Sequence, residues 1–320
     1  MTGERVNGRI VALCGGVGGA KLALGLSLLV DPEQLSIIVN VGDDFEHLGL
    51  CVSPDIDTVV YTLAGLVNPE TGWGRRDESW RFMEMLGRLG GDTWFNLGDT
   101  DLAMHAWRTE RLSRGTRLTE VTRDVARKLG IDAAILPVSD DPVRTMVDTD
   151  EGELPFQRYF VGRQCQPRAR SLRYDNAEAA RLTPEVIAAL DDPELAMVVI
   201  CPSNPYLSID PMLAIPGLRE RLEARRVPVI AVSPIIGGAS VKGPLSKMMA
   251  EFGITSDVAS VASHYDDLID VLVVDEADRE AVIEGPRMVV TKTLMTTLAD
   301  RVALAGFVVR TAQQGRPSDE

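Results

Sequence analysis

The sequence predicts an α/β fold, a Rossmann-like and mainly parallel sheet with helices on both faces and a smaller inserted, largely helical subdomain. Three observations predict it. Short β-branched or apolar runs alternate with longer helical patterns, as strand and crossover do in a parallel sheet. The runs are nearly continuous in apolar residues, as strands covered on both faces must be. Four glycines (Gly15, Gly16, Gly18 and Gly19) directly follow the first run, where such a sheet turns into its first helix.

The first strand is expected from Arg9 to Cys14 and its helix from Ala20 to Val30. Further strands are expected at Leu35 to Val41, Met197 to Cys201, Pro228 to Ser233 and Val271 to Asp275, with another at Ala133 to Pro137. Helices should start at Thr183-Pro184, Pro216-Gly217 and Gly243. Thr183 suits an N-cap and Pro184 the first helical position. Between about 66 and 176 the alternation weakens, Arg becomes frequent, and all four tryptophans (Trp73, Trp80, Trp94, Trp107) fall early in the stretch. That reads as an inserted helical subdomain followed by a short β section from Val143 to Val161. The rest forms one α/β domain over 1–312, with a polar tail at 313–320 expected to fray.

Composition narrows the function. The chain has 320 residues, 45% hydrophobic and 25% charged, enough for a sizeable core. Its net charge of −14 argues against a nucleic-acid surface, which needs a basic stripe. Phosphates can still be held locally, by backbone N–H groups, a few cations or a metal. No stretch reaches bilayer length and the first residues, Met1 to Asn7, are polar, so neither a membrane nor a secretory route is expected. Cys14, Cys51, Cys165 and Cys201 show no C-x-x-C spacing, which fits a reducing cytoplasm. His47, His105 and His264 are too dispersed to suggest a histidine metal site.

Five motifs carry possible chemistry. Cys14-Gly15-Gly16-Val17-Gly18-Gly19-Ala20-Lys21 opens the first helix, where free N–H groups favour an anion. It lacks the Gly-Lys-Ser/Thr ending of a Walker loop, and Lys21 replaces the third glycine of G-x-G-x-x-G. A side chain at Gly18 is expected to meet the diphosphate; a bare strand-to-helix turn is the alternative. Asp43 and Asp44 end the second strand, and Asp55 and Asp57 follow shortly. Beside a diphosphate such carboxylates suit Mg²⁺, and one could accept a proton from an attacking hydroxyl. As single residues they read equally well as N-caps and turns. In Trp94-Phe95-Asn96-Leu97-Gly98-Asp99-Thr100-Asp101, a turn leads into a helix that carries His105. The tryptophans nearby offer an aromatic surface for a ligand, or simply pack the helices. Cys201-Pro202-Ser203-Asn204-Pro205 and the run from Ser233-Pro234 through Lys242 to Pro244 each follow a strand, with short hydroxyl and amide groups suited to a nucleotide. Together the five predict one crevice at the carboxyl edge of the sheet.

These segments, with Ser53-Pro54-Asp55-Ile56-Asp57-Thr58, Gly72-Trp73-Gly74 and Leu136 to Val143, resemble the 2-phospho-L-lactate transferase family, in order from about residue 9 to 300. The resemblance implies a magnesium-dependent cytoplasmic enzyme, usually a homodimer. It would transfer a phospholactyl, phosphoenolpyruvyl or phosphoglyceryl group from a diphospho-5′-guanosine donor to the ribityl end of the deazaflavin Fo, releasing GMP in coenzyme F-420 biosynthesis. By position, Asp57 matches an acceptor contact, with Asp99, Thr100 and His105 beside it, and Asp43 and Asp44 lie near the metal. Gly15, Gly16, Gly18, Gly19, Lys21, Ser203, Asn204, Ser233 and Pro234 would face the donor. Asp57 or Asp44 would take the acceptor's proton. Thr100 departs from the family, which commonly has Arg there; Arg75, Arg76 or Arg108 is the candidate substitute cation.

Two rivals remain. A nucleotide-sugar-binding regulatory protein of the same fold would carry D-D-G-G-S-S-G where this chain has Asp43 to Gly49. A dehydrogenase would need an acidic residue ending the second strand, which Asn40 and Asp43 fit loosely.

Overall fold

A computed structural model of the chain describes residues 8–314. Seven strands form the central sheet: β1 (Arg9–Cys14), β2 (Leu35–Val39), β3 (Ala134–Pro137), β4 (Leu195–Ile200), β5 (Val229–Val232), β6 (Val271–Val274) and β7 (Arg287–Val290). All neighbours pair in parallel, and the spatial order is β7-β6-β5-β4-β1-β2-β3. The order reverses at β1, so the crevice between β1 and β4 is the topological switch point. In β1, β4, β5 and β6 nearly every residue is buried, which is why they read as unbroken apolar runs.

Two expected boundaries move for visible reasons. β2 stops at Val39 rather than Val41 because Asn40 Oδ1 accepts a hydrogen bond from Gly42 N at 2.8 Å and turns the chain. The first helix, α1 (Gly16–Ser27), begins four residues before the expected Ala20, so most of the glycine motif is its first turn. β7 was not expected. Its four residues are partly buried or exposed, as suits an edge strand, and so small a run gives no pattern to read. Thr183 caps the helix Pro184–Leu190 as expected, accepting from Val186 N at 3.2 Å.

The stretch 66–176 leaves the sheet twice, because β3 returns to pair with β2 in its middle. After α2 (Pro54–Leu63), the segment before β3 is helical: α3 (Arg81–Arg88), α4 (Asp99–Ser113) and α5 (Leu118–Lys128). The segment after it is an antiparallel sheet of Arg144–Thr149, Gly152–Pro155 and Ala169–Asp175, with a small core of its own around Val147, Phe156 and Tyr159. At the C-terminus, helix Leu298–Gln314 packs on α1. Gly25 permits that contact, since a Cβ there would stand 2.2 Å from Arg301 O. Of the expected polar tail 313–320, residues 313 and 314 complete this helix, and 315–320 lie outside the described residues, as do residues 1–7. No helix among the described residues is long and apolar enough to cross a membrane.

Candidate active site

A cleft of about 630 Å³ lies over the switch point, lined by the segments that follow β1, β2, β4, β5 and β7. The sheet's topology therefore gathers loops that are far apart in sequence, at the edge where open α/β sheets bind ligands.

The glycine segment forms one wall. Gly15 is extended (φ −155°) and has no side chain to cap α1, which leaves first-turn amides to outside acceptors. Gly16 takes a positive φ of 64°, and its N–H donates to Asp55 Oδ1 at 2.8 Å. Gly18 and Gly19 are small for a reason the sequence did not show. A Cβ on Gly18 would stand 2.2 Å from Pro202 O, and one on Gly19 would stand 2.7 Å from Ser203 Oγ. These glycines let α1 lie against the loop after β4, and Gly19 does not line the cleft. Ser203 locks that contact: its hydroxyl donates to Gly15 O at 2.8 Å and accepts from Gly15 N at 3.2 Å. Asn204 spends its carbonyl oxygen on Tyr206 N and Leu207 N, leaving its buried Nδ2 donor without a partner. Ser233 closes its own turn on Ile235, with Pro234 on the cleft wall. Lys21 reaches across to Met295 O at 2.9 Å; burial and the nearby charges of Arg301 and Lys242 lower its pKa.

A buried acidic group sits beside Gly16. Asn40 Nδ2 donates to Asp55 Oδ2 at 2.9 Å and lies 3.3 Å from Asp43 Oδ1, so both carboxylates share one amide. Burial pushes Asp43 well above the usual carboxylate range, and the charges of Asp55 and Asp44 add to it. Burial raises Asp55 to about 6, against the Asn40 and Gly16 hydrogen bonds. Asp44 is raised to about 7 by burial. It turns away from the cleft: Oδ2 accepts from Ser53 Oγ at 2.8 Å, and Oδ1 has no partner. Asp43 and Asp55 line the cleft; Asp44 lines a second cavity behind it.

A second polar cluster joins α2 to α4. Arg108 Nη1 and Nη2 donate to the two oxygens of Asp57, both residues being buried. Arg108 Nη1 lies 3.3 Å from His105 Nδ1, and His105 Nε2 lies 3.2 Å from Asp101 Oδ2. Tyr61 OH donates to Asp101 Oδ1 at 2.5 Å. The helical spacing of Asp101, His105 and Arg108 puts all three on one face of α4. Burial pushes the Asp101 carboxyl up, but the hydrogen bonds and charge of His105, with the Tyr61 hydroxyl, hold it below its ordinary range. Ligand atoms of Asp57, Asp101 and His105 lie within 4.8 Å of one another, a spacing that could hold a metal. The dispersed histidines gave no hint of this set.

Trp73, Trp80, Phe95, Phe156 and Phe160 line the cleft, so two of the four tryptophans face it. Trp94 instead packs with Phe45, His47 and Phe95, and Trp107 lies under Arg111 and Lys128. Asp99 and Thr100 do not line the cleft. Asp99 accepts from Ser79 Oγ, Arg81 N and Phe82 N and so starts α3, while Thr100 is exposed with its N–H on Glu78. Of the residues expected at the site, Gly15, Gly16, Gly18, Lys21, Asp43, Asp57, His105, Ser203, Asn204, Ser233 and Pro234 meet at the cleft; Gly19, Asp44, Asp99 and Thr100 do not. Sequence reasoning missed Tyr61 and the Thr293–Met295 segment as site residues; Asn40 and Lys242 fall within its motifs. It gave no particular role to Asp101, whose helical position was readable; Asp55, grouped there with the other carboxylates as suited to Mg²⁺, does line the cleft.

Comparison with known proteins bears on the family and the fold. A family model described as 2-phospho-L-lactate transferase CofD matches residues 10–301. A 2-phospho-L-lactate transferase of Methanopyrus kandleri is 41% identical, over 97% of this chain and 99% of its own. A phosphoenolpyruvate transferase of Streptomyces griseus is 39% identical, over 96% and 99%. Among solved structures, a UPF0052-family protein of Bacillus halodurans superposes with a TM-score of 0.60 at 13% identity, covering 95% of this chain and 99% of that one. At that identity the likeness speaks for the fold alone.

Proposed function

The chain belongs to the 2-phospho-L-lactate transferase family, and from that premise we propose that it moves a phospholactyl, phosphoenolpyruvyl or phosphoglyceryl group from a diphospho-5′-guanosine donor to the ribityl hydroxyl of Fo. The P–O bond to GMP breaks, a P–O bond to the ribityl oxygen forms, and the hydroxyl proton is lost. The observation that carries this reading is the lining of the cleft. The first turn of α1 and the unpartnered Nδ2 donor of Asn204 suit the nucleotide diphosphate, aromatic rings suit a deazaflavin, and the carboxylates of Asp43, Asp55 and Asp57 line the same cleft.

The acidic group fits magnesium. Asp43 and Asp55 offer oxygen atoms only, as a hard cation prefers; burial raises both, and the charges of Asp55 and Asp44 raise Asp43 further. Asp57 fits less well, because Arg108 already neutralises it. Asp43 and Asp55 would hold the ion, with Asp44 behind them, and the bound ion would offset charge on the diphosphate.

The chain's own residues do the rest. The first-turn amides of α1 face the phosphates, Lys21 adds a positive charge, and Trp73 and Trp80 exclude water from the acceptor side. Asp57, fixed by Arg108, orients the acceptor hydroxyl and takes its proton late, when a loose transition state has made the oxygen acidic. The same reading makes the protein a cytoplasmic homodimer, which light scattering would check. The decisive experiment incubates Fo with each guanosine donor and weighs the products. A condensed deazaflavin with equimolar GMP is expected from at least one. GDP binding without product from any donor would favour a regulatory binder and sink the transferase reading.

A further inference from the structure

Between α2 and α3 the chain makes a tight excursion over 67–75, closed by a bridge between Val67 and Arg75. Asn68 N donates to Gly74 O at 3.0 Å, and Gly72 N donates to Asn68 O at 2.9 Å. The Thr71 hydroxyl donates to Trp73 O at 2.6 Å and accepts from Trp73 N at 3.4 Å. These bonds make the excursion one piece, so a group that fixes Thr71 also fixes Trp73. At its base, Arg75 lies over the Tyr61 ring, 5.4 Å from the centroid, and 3.8 Å from Glu78. Glu78 in turn accepts from Thr100 N and Asp101 N. The base therefore rests on α2 and α4, the helices that carry Asp57, Asp101 and His105.

The tip rests on the glycine segment instead. A Cβ on Gly72 would stand 2.7 Å from Val17 Cγ1, in the first turn of α1, and 3.3 Å from Lys242 Nζ. Lys242 then fastens the tip, its ammonium donating to the Thr71 carbonyl. Lys242 and Lys21 both line the cleft, and neither makes a salt bridge among the described residues. The five carboxylates of the cleft have other partners. Asp43 and Asp55 share Asn40, Asp57 has Arg108, Asp101 has His105 and Tyr61, and Glu78 has the amides of α4. The two ammonium groups are near each other: besides burial, the charges of Arg301 and Lys242 lower the pKa of Lys21.

Two ammonium groups bonded to neutral carbonyls beside a helix N-terminus suit a diphosphate. An ammonium has three N–H donors, so Lys242 can keep the Thr71 carbonyl and take a phosphate oxygen as well. We propose that Lys242 is a positioning residue that couples the two substrates. A diphosphate at the first turn of α1 fixes the Lys242 ammonium, which through Thr71 O holds the 67–75 segment and Trp73 in place for the deazaflavin. The acceptor therefore binds more tightly once the donor is bound, and by linkage the donor binds more tightly beside the acceptor. The proposal rests on the transferase reading above.

Fo is titrated by fluorescence, alone and with saturating GDP, which supplies the diphosphate without a reaction. In the wild type GDP should raise Fo affinity about fivefold or more. Lys242→Met should weaken GDP, so that more is needed for saturation, and should bring the factor close to one while Fo affinity without GDP stays unchanged. Lys242→Arg keeps a charged donor and should retain part of the coupling. The inference is overturned if the wild-type factor is one, or if Lys242→Met keeps the wild-type factor. It is also overturned if Lys242→Met weakens Fo equally with and without GDP, since the lysine would then only support the fold. A wild type that binds no GDP at all sinks the transferase reading, whereas a factor of one with both ligands bound sinks only the coupling.

Discussion

Replacing Arg108 by Met tests whether the Asp57 cluster is a true buried ion pair. Met keeps much of the side-chain volume, so the perturbation is the lost charge rather than a cavity. Arg108 is 2% exposed and Asp57 6%, and both carboxylate oxygens accept from the guanidinium. Removing one member of a buried pair strands the other, at a cost of about 3–5 kcal/mol. That is a large share of a stability of about 5–15 kcal/mol. Asp57→Asn should cost a similar amount. In Asp57→Asn/Arg108→Met neither charge is stranded, so the double variant should lose about 2–3 kcal/mol less than the two single losses added together. Urea unfolding of the wild type, both single variants and the double variant measures each loss. Single losses below about 1 kcal/mol, or strict additivity, would show that water in the cleft solvates Asp57 and would refute the argument.

Four further outcomes are expected. Excess chelator should abolish turnover, and Asp43→Asn or Asp55→Asn should slow it at least tenfold, about 1.4 kcal/mol of barrier; full activity in chelator ends the metal proposal. Gly18→Ala should destabilise the fold by roughly 1–3 kcal/mol through its clash with Pro202 O, read by denaturant midpoint, since φ at Gly18 is not positive. Thr100→Arg should leave Fo affinity in a fluorescence titration unchanged, because residue 100 is exposed outside the cleft. Without metal, Asp55 (about 6) and Asp44 (about 7) sit above their unfolded value near 3.9, so the stability they contribute is full below that value and is lost as pH rises through the folded pKa. The melting midpoint of the metal-free protein should fall between pH 5 and 8, and fall less in Asp44→Asn; a rise over that range contradicts the assignment.

The sequence by itself determined the sheet and the edge at which ligands bind. Doubly covered strands such as β1 and β4 must be apolar throughout, and glycines, prolines and short polar residues must stand where those strands end, so both are written locally. Tertiary structure alone decided what each site residue touches. Gly18 read as a phosphate contact, yet it is small because Pro202, distant in sequence, packs on it. Asp44 and Thr100 read like their neighbours Asp43 and Asp101, but one residue along a turn or helix points a side chain elsewhere: Asp44 to the rear cavity, Thr100 to solvent. The pairing of Asp57 with Arg108 depends on α2 meeting α4 across 51 residues of chain, a contact that no periodicity in either helix encodes.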